Sequence, residues 1–151
     1  MTAMPGTQAS RLVLRSDLAE LDRLTAWLQS LSRRSDLPPD LSFAVAHCLE
    51  EAVANIIMYG GDDERAVEIS IEVERDGAVL IARVEDNGRQ FDPTRAPAPP
   101  VRNSLERARI GELGIHLMRS FADEMRYERR DDRNCLTLRF AQGRNAHQRP
   151  E

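Results

Sequence analysis

The chain has 151 residues, enough for one domain with an unstapled core and barely enough for two. Apolar residues make up 41% and charged residues 30%, an ordinary globular mixture whose formal charge of -4 offers no basic face to duplex nucleic acid. All 21 basic residues are arginines, and the absence of lysine removes a Walker A loop, a Schiff-base lysine and any lysine nucleophile.

Residues 1–9 read as a flexible N-terminus. Arg11 to Arg15 alternate as R-L-V-L-R, a short strand, after which Ser16 or Asp17 caps an amphipathic helix carrying Leu18, Leu21, Leu24, Trp27, Leu28 and Leu31. Asp36-Leu37-Pro38-Pro39-Asp40 breaks the chain, because proline suits the first turn of a helix and not its interior. A second helix is predicted from about Asp40 to Met58, stopped by Gly60-Gly61-Asp62-Asp63. Ala66 to Glu74 and Ala78 to Glu85 follow as strands of a hairpin around Asp76-Gly77. From Asp92 to about Arg109 the chain is rich in proline and arginine and has little periodicity, the composition of a lid over a site. Glu112 to Asp123 reads as a third long helix, and Glu124 to Arg130 and Asn134 to Phe140 as a last pair of strands across Asp131-Asp132-Arg133. Residues 142–151 read as a flexible polar tail.

Consecutive hairpins and grouped helices define an α+β chain: a two-layer α/β sandwich, with a mostly antiparallel mixed sheet covered on one face by helices, in one domain over residues 10–141. Cys48 and Cys135 stand apart with no CxxC pattern, so two reduced, packed thiols are expected. The first ten residues lack a signal-peptide pattern, and no later run approaches the ~18 apolar residues of a membrane span. The expectation is a cytoplasmic protein with neither membrane nor direct nucleic-acid contact.

On the second helix, Leu41, Val45, Cys48, Leu49, Ala52 and Ile56 form one stripe when each residue advances roughly 100°. Glu51 and Asn55, four apart, stack at the flank of that stripe. Glu50 lies roughly 140–160° from its centre and is expected to point into water, which selects Glu51 as the functional carboxylate. A glutamate and an asparagine one turn apart divide labour: the amide oxygen suits a hard cation such as Mg²⁺, and the carboxylate orients a hydroxyl or water for attack on a phosphate. A surface hydrogen-bonded pair is the competing reading. Asp86 leaves a strand end beside Gly88, where a carboxylate accepts from an exocyclic amine and a glycine admits a flat base, unless the pair is only an Asx turn. Gly111 and Gly114 open a helix whose free N–H groups face any phosphate placed there. His47, one turn before Glu51, is read as structural.

Taken together, L-E-E-A-V-A-N, V-E-D-N-G-R-Q-F-D-P and I-G-E-L-G-I-H-L-M-R-S-F-A-D-E-M-R-Y resemble the N, G1 and G2 boxes of the GHKL (Bergerat-fold) ATPases. Within that superfamily the chain is similar to the anti-sigma factor serine/threonine-protein kinases of bacterial partner-switching systems, over about residues 10–141. The resemblance implies ATP and Mg²⁺ as cofactors, Glu51 as catalytic base, Asn55 as Mg²⁺ ligand and Asp86 as reader of the adenine amino group. Gly88, Gly111 and Gly114 correspond to glycines lining the nucleotide, and Arg109 to a γ-phosphate contact, with Arg102 and Arg107 as competitors. The implied partners are a sigma factor and an anti-anti-sigma protein of the STAS type, and such family members are often homodimers. Gln90 and Glu112 depart from the family's glycines. A glutamate about 6 Å from a phosphate costs roughly 0.7 kcal/mol in water and about 3 kcal/mol at an effective dielectric of 20. That leaves a second reading, a catalytically weak or inactive binding module acting by partner competition alone. A third is a detached histidine-kinase ATPase domain.

Overall fold

A computed structural model describes residues 7–60, 67–95 and 118–141. Strand β1 (Thr7–Arg15) leads into helix α1 (Glu20–Arg34) and helix α2 (Pro39–Tyr59), followed by β2 (Glu68–Asp76), β3 (Val79–Asp86), a 3-10 turn at Pro93–Arg95, β4 (Glu124–Arg130) and β5 (Arg133–Ala141). Residues 118–121 are helical, the described end of the third predicted helix. The five strands form one sheet in the order β1-β2-β3-β5-β4. Every pairing is antiparallel, so the expected α+β two-layer architecture holds and no parallel pair occurs among the described strands.

Alternation along the strands decides which face the helices cover. On β3, Leu80, Ala82, Val84 and Asp86 are buried, and on β5, Asn134, Leu136, Leu138 and Phe140, the period of two that turns one face of a pleated sheet inward. Leu24, Leu28 and Leu31 of α1 and Val45, Cys48, Leu49, Ala52 and Val53 of α2 complete this single core. The opposite face is charged: Arg83 of β3 lies 3.5 Å from Glu72 and 3.1 Å from Glu74 of β2. Both cysteines are free thiols, as expected. Cys48 is buried against the Met118 carbonyl, while burial first and the Glu85 carboxylate second push the Cys135 thiol pKa up.

Local chemistry moves several predicted boundaries. Asp17 Oδ1 accepts the Ala19 N–H at 3.0 Å and the Asp17 carbonyl accepts from Glu20. Asp17 therefore closes a turn ahead of the helix instead of capping it, and Leu18 stays 66% exposed. The β2–β3 hairpin turns on Gly77-Ala78, one residue later than expected, because Asp76 pairs with Val79 and Gly77 takes φ +61°, as a type II′ turn requires of its first central residue. The β4–β5 turn is Asp131-Asp132, both with positive φ, and Arg133 already belongs to β5. No run of ~18 apolar residues occurs in α2, as expected, yet by length and mean hydropathy alone it is apolar enough to cross a membrane. Its composition reflects a central place in the helix layer, between α1, where Glu50 accepts from Thr25, and residues 118–121.

Candidate functional site

A cleft with about 440 Å³ of empty space opens between the C-terminal half of α2 and one end of the β3, β5 and β4 strands. Two local facts place its polar groups. Asp86 is the last inward residue of β3 and Asn134 the first of β5, and the register pairs them directly across the sheet. The pleat therefore carries a carboxylate and an amide to the rim of an otherwise apolar row. On the facing wall, Asn55 projects from α2 with 3% exposure.

Asp86, also 3% exposed, accepts two hydrogen bonds, both on Oδ1: from the Gly88 N–H at 2.9 Å and from Asn134 Nδ2 at 3.0 Å. Among the described residues Oδ2 takes no bond. Burial raises the Asp86 pKa above the usual aspartate range, opposed first by the bonds from Asn134 and Gly88 and then by the Arg129 and Arg133 charges. The bond to Gly88 is the Asx turn foreseen as the alternative to a binding role, and it occupies only one oxygen. A Cβ on Gly88 would collide with the Gly60 carbonyl and stand 2.9 Å from Asp86 Oδ1. This glycine thus answers to the approach of the loop to the end of α2, where Arg89 N–H donates to Gly60 O at 2.5 Å. Arg129 of β4 holds the same loop through the Gly88 carbonyl at 2.9 Å.

Asn55 presents the opposite situation. Among the described residues neither Oδ1 nor Nδ2 of its buried amide has a hydrogen-bond partner, although leaving such a group unpaired costs about 1–3 kcal/mol. The orphaned oxygen is a hard donor, and Mg²⁺ is bound by one or two such protein ligands together with substrate phosphates and waters. Among the described residues there is no group of three or more His, Cys, Asp or Glu side chains able to hold a metal by themselves. The residues present therefore fit a cation that arrives with a phosphorylated ligand.

Glu51 lies half-buried one turn before Asn55 on α2 and does not line the cleft. Glu50 is not the solvated residue the helical wheel implied: it is half-buried and its Oε2 accepts from Thr25 Oγ1 of α1 at 3.1 Å. His47 stacks on Phe43, with ring centroids 6.0 Å apart, and meets Phe121 edge-on at 5.3 Å, a packing role. The stretch read as a lid begins with the 3-10 turn at Pro93–Arg95, whose Pro93 and Thr94 carbonyls accept from Arg119. Arg102, Arg107, Arg109, Gly111, Glu112 and Gly114 lie outside the described residues.

Asn134, Tyr127 and Arg129 were not among the site residues expected from the sequence. The signal for Asn134 was available, since it is the one polar residue in the inward row of β5. Tyr127 donates to Asn134 Oδ1 at 2.5 Å, and burial raises its phenol pKa, with Arg129 opposing.

The fold and its cleft belong to a protein of the ATPase-domain class, as the family match shows. Residues 14–140 match the histidine kinase-like ATPase domain model, and the chain belongs to that family. The serine/threonine-protein kinase BtrW of Bordetella bronchiseptica is 32% identical over 125 residues, covering 83% of this chain and 84% of that protein. Among solved structures, the RsbU and RsbW domains of Rv1364c from Mycobacterium tuberculosis align with a TM-score of 0.62 and 14% identity, over 89% of this chain and 32% of that one. The histidine kinase domain of the Erythrobacter litoralis EL346 blue-light activated histidine kinase aligns with a TM-score of 0.55 and 14% identity, over 82% of this chain and 59% of that one. The two structural likenesses concern the fold, and in each case this chain spans less than two thirds of the other.

Proposed function

We propose that this protein is an anti-sigma factor with ATP-dependent serine kinase activity, phosphorylating an anti-anti-sigma partner of the STAS type and holding a sigma factor in a bacterial partner-switching system. The observation that carries this reading is the buried Asn55 amide facing a carboxylate, Asp86, where among the described residues the amide has no partner and one carboxylate oxygen takes no bond. The kinship with BtrW supports the choice of a protein hydroxyl as acceptor.

When bound, ATP supplies the γ-phosphoryl group and Mg²⁺ neutralises charge upon it. Asn55 Oδ1 is the protein's ligand for the metal. Asp86 Oδ2 accepts from the exocyclic amine of the base. Glu51, on the same side of α2 as Asn55, orients the partner's serine hydroxyl and accepts its proton at the carboxylate. Because phosphoryl transfer passes through a loose transition state, positioning supplies most of the catalysis and Glu51 need not be a strong base. Gly111 and Gly114 are proposed to offer backbone N–H groups to the phosphates, with Arg109 at the γ-phosphate. A phosphoserine adds roughly -1.5 to -2 charges to the partner, which repels it from acidic groups at the docking surface and frees this protein for the sigma factor.

The test is radiolabelled ATP with a candidate anti-anti-sigma protein. The native chain labels a serine, and Glu51→Ala does not while still binding ATP. ATP binding without label in the native chain, at saturating ATP and Mg²⁺, would assign the protein to the binding-module reading, with Gln90 and Glu112 as its origin.

A further inference from the structure

We infer that Asn134 is a positioning residue that sets the hydrogen-bond polarity of the nucleotide site, and with it the preference for a purine bearing an exocyclic amine over one bearing a carbonyl. This deepens the ATP reading of the same cleft and rests on it.

A side-chain amide can be turned by 180° with little change of shape, so its direction must be fixed by neighbours whose chemistry cannot change. Asn134 has two such neighbours. The Phe91 N–H, always a donor, lies 3.2 Å from Oδ1, and the Arg89 carbonyl, always an acceptor, lies 2.8 Å from Nδ2. Both belong to the backbone that follows Asp86. With the amide so oriented, the remaining directions are dictated. Tyr127 Oη must donate to Oδ1 at 2.5 Å, and Nδ2 must donate to Asp86 Oδ1 at 3.0 Å. All four hydrogen-bonding positions of the amide are filled, and the side chain is 5% exposed.

The consequence falls on Asp86. Its Oδ1 is occupied by two N–H donors, so Oδ2 is the oxygen left to a ligand, and while the carboxylate is ionised it is an acceptor. An amine at position 6 of a purine pairs with that oxygen, whereas a carbonyl there sets one acceptor against another. Asp86 makes the contact, and Asn134 decides what the contact can be. Without its amide, the carboxylate can rotate and take a proton at either oxygen, and the distinction fades.

The experiment compares dissociation constants for ATP and ITP in the full chain, using Asn134→Asp and Asn134→Leu, with thermal unfolding followed for each. Asn134→Asp keeps the acceptor for Phe91 and Tyr127 but loses both donors. The native chain should favour ATP, and both variants should lower the ATP-to-ITP preference about tenfold, chiefly by weakening ATP. Tyr127→Phe should leave the preference within about twofold, because the backbone pair still orients the amide. Folded Asn134 variants with the native preference would overturn the inference. Should neither fold, the native protein itself decides: the Asn134 side-chain amide protons should exchange slowly and show scalar coupling to the Asp86 carboxylate by NMR, and free exchange would equally overturn it. Failure of the underlying ATP reading looks different, as no ATP binding by the native chain or no effect of Asp86→Ala on the preference.

Discussion

The two walls of the cleft are built on opposite plans. On the sheet wall, Asp86, Asn134, Tyr127 and the loop backbone exchange hydrogen bonds until only one carboxylate oxygen is left over. On the helix wall, Asn55 is as deeply buried and its side-chain amide has no partner among the described residues. Burial alone therefore does not say whether a polar group stabilises a fold. A saturated amide holds its surroundings together, while an orphaned one is a standing cost that a ligand can offset.

The contrast breaks most visibly if the two asparagines are removed in turn. Asn134→Ala strands the Arg89 carbonyl, the Phe91 N–H, the Tyr127 hydroxyl and one bond to Asp86 at once, and should lower the unfolding free energy by about 3 kcal/mol in urea titrations. Asn55→Leu should move stability the other way, raising the unfolding free energy of the ligand-free protein by about 1–2 kcal/mol while abolishing Mg²⁺-dependent ATP binding in calorimetry. If Asn55→Leu destabilised the protein, its amide would have a partner and the contrast would be lost.

Gly88→Ala tests the hinge between the walls. The added methyl meets the Gly60 carbonyl, which is backbone and cannot turn away, so a loss of about 1–2 kcal/mol is expected in thermal unfolding. The smallest effect concerns pH. The folded-state pKa of Asp86 is raised, chiefly by burial, so the folded protein binds a proton more readily than the unfolded chain. This group's contribution is most favourable below the ordinary aspartate range and is lost as pH rises through the raised value. Asp86→Asn, which keeps both bonds on its oxygen, should show a gain in stability over the native chain that grows with pH across that window. A difference independent of pH would mean that Asp86 is not desolvated.

Much of this fold could be read along the chain, because its signals are local. The breaks at Pro38-Pro39 and Gly60 bound α2 within about a residue of its true ends, and the alternation from Asn134 to Phe140 predicts β5. The N and G1 motifs put Asn55 and Asp86 in one cleft. What stayed hidden depends on partners far away in sequence. The helical wheel cannot know that Thr25 of a neighbouring helix waits for Glu50, nor that Gly88 is small because Gly60 presses on it. Asn134 was visible as an anomaly in an apolar row, but its meaning required the β3–β5 register that sets it against Asp86.

The greasiness of α2 has its final effect when the protein is unfolded. Over 21 residues this segment has the length and mean hydropathy of a membrane-crossing helix and not one arginine. Shielded by the sheet, α1 and residues 118–121, it is an interior pillar. Released by heat it becomes the most adhesive part of the molecule, so irreversible clumping after melting should begin there and be suppressed by any nucleotide that keeps the pillar in place.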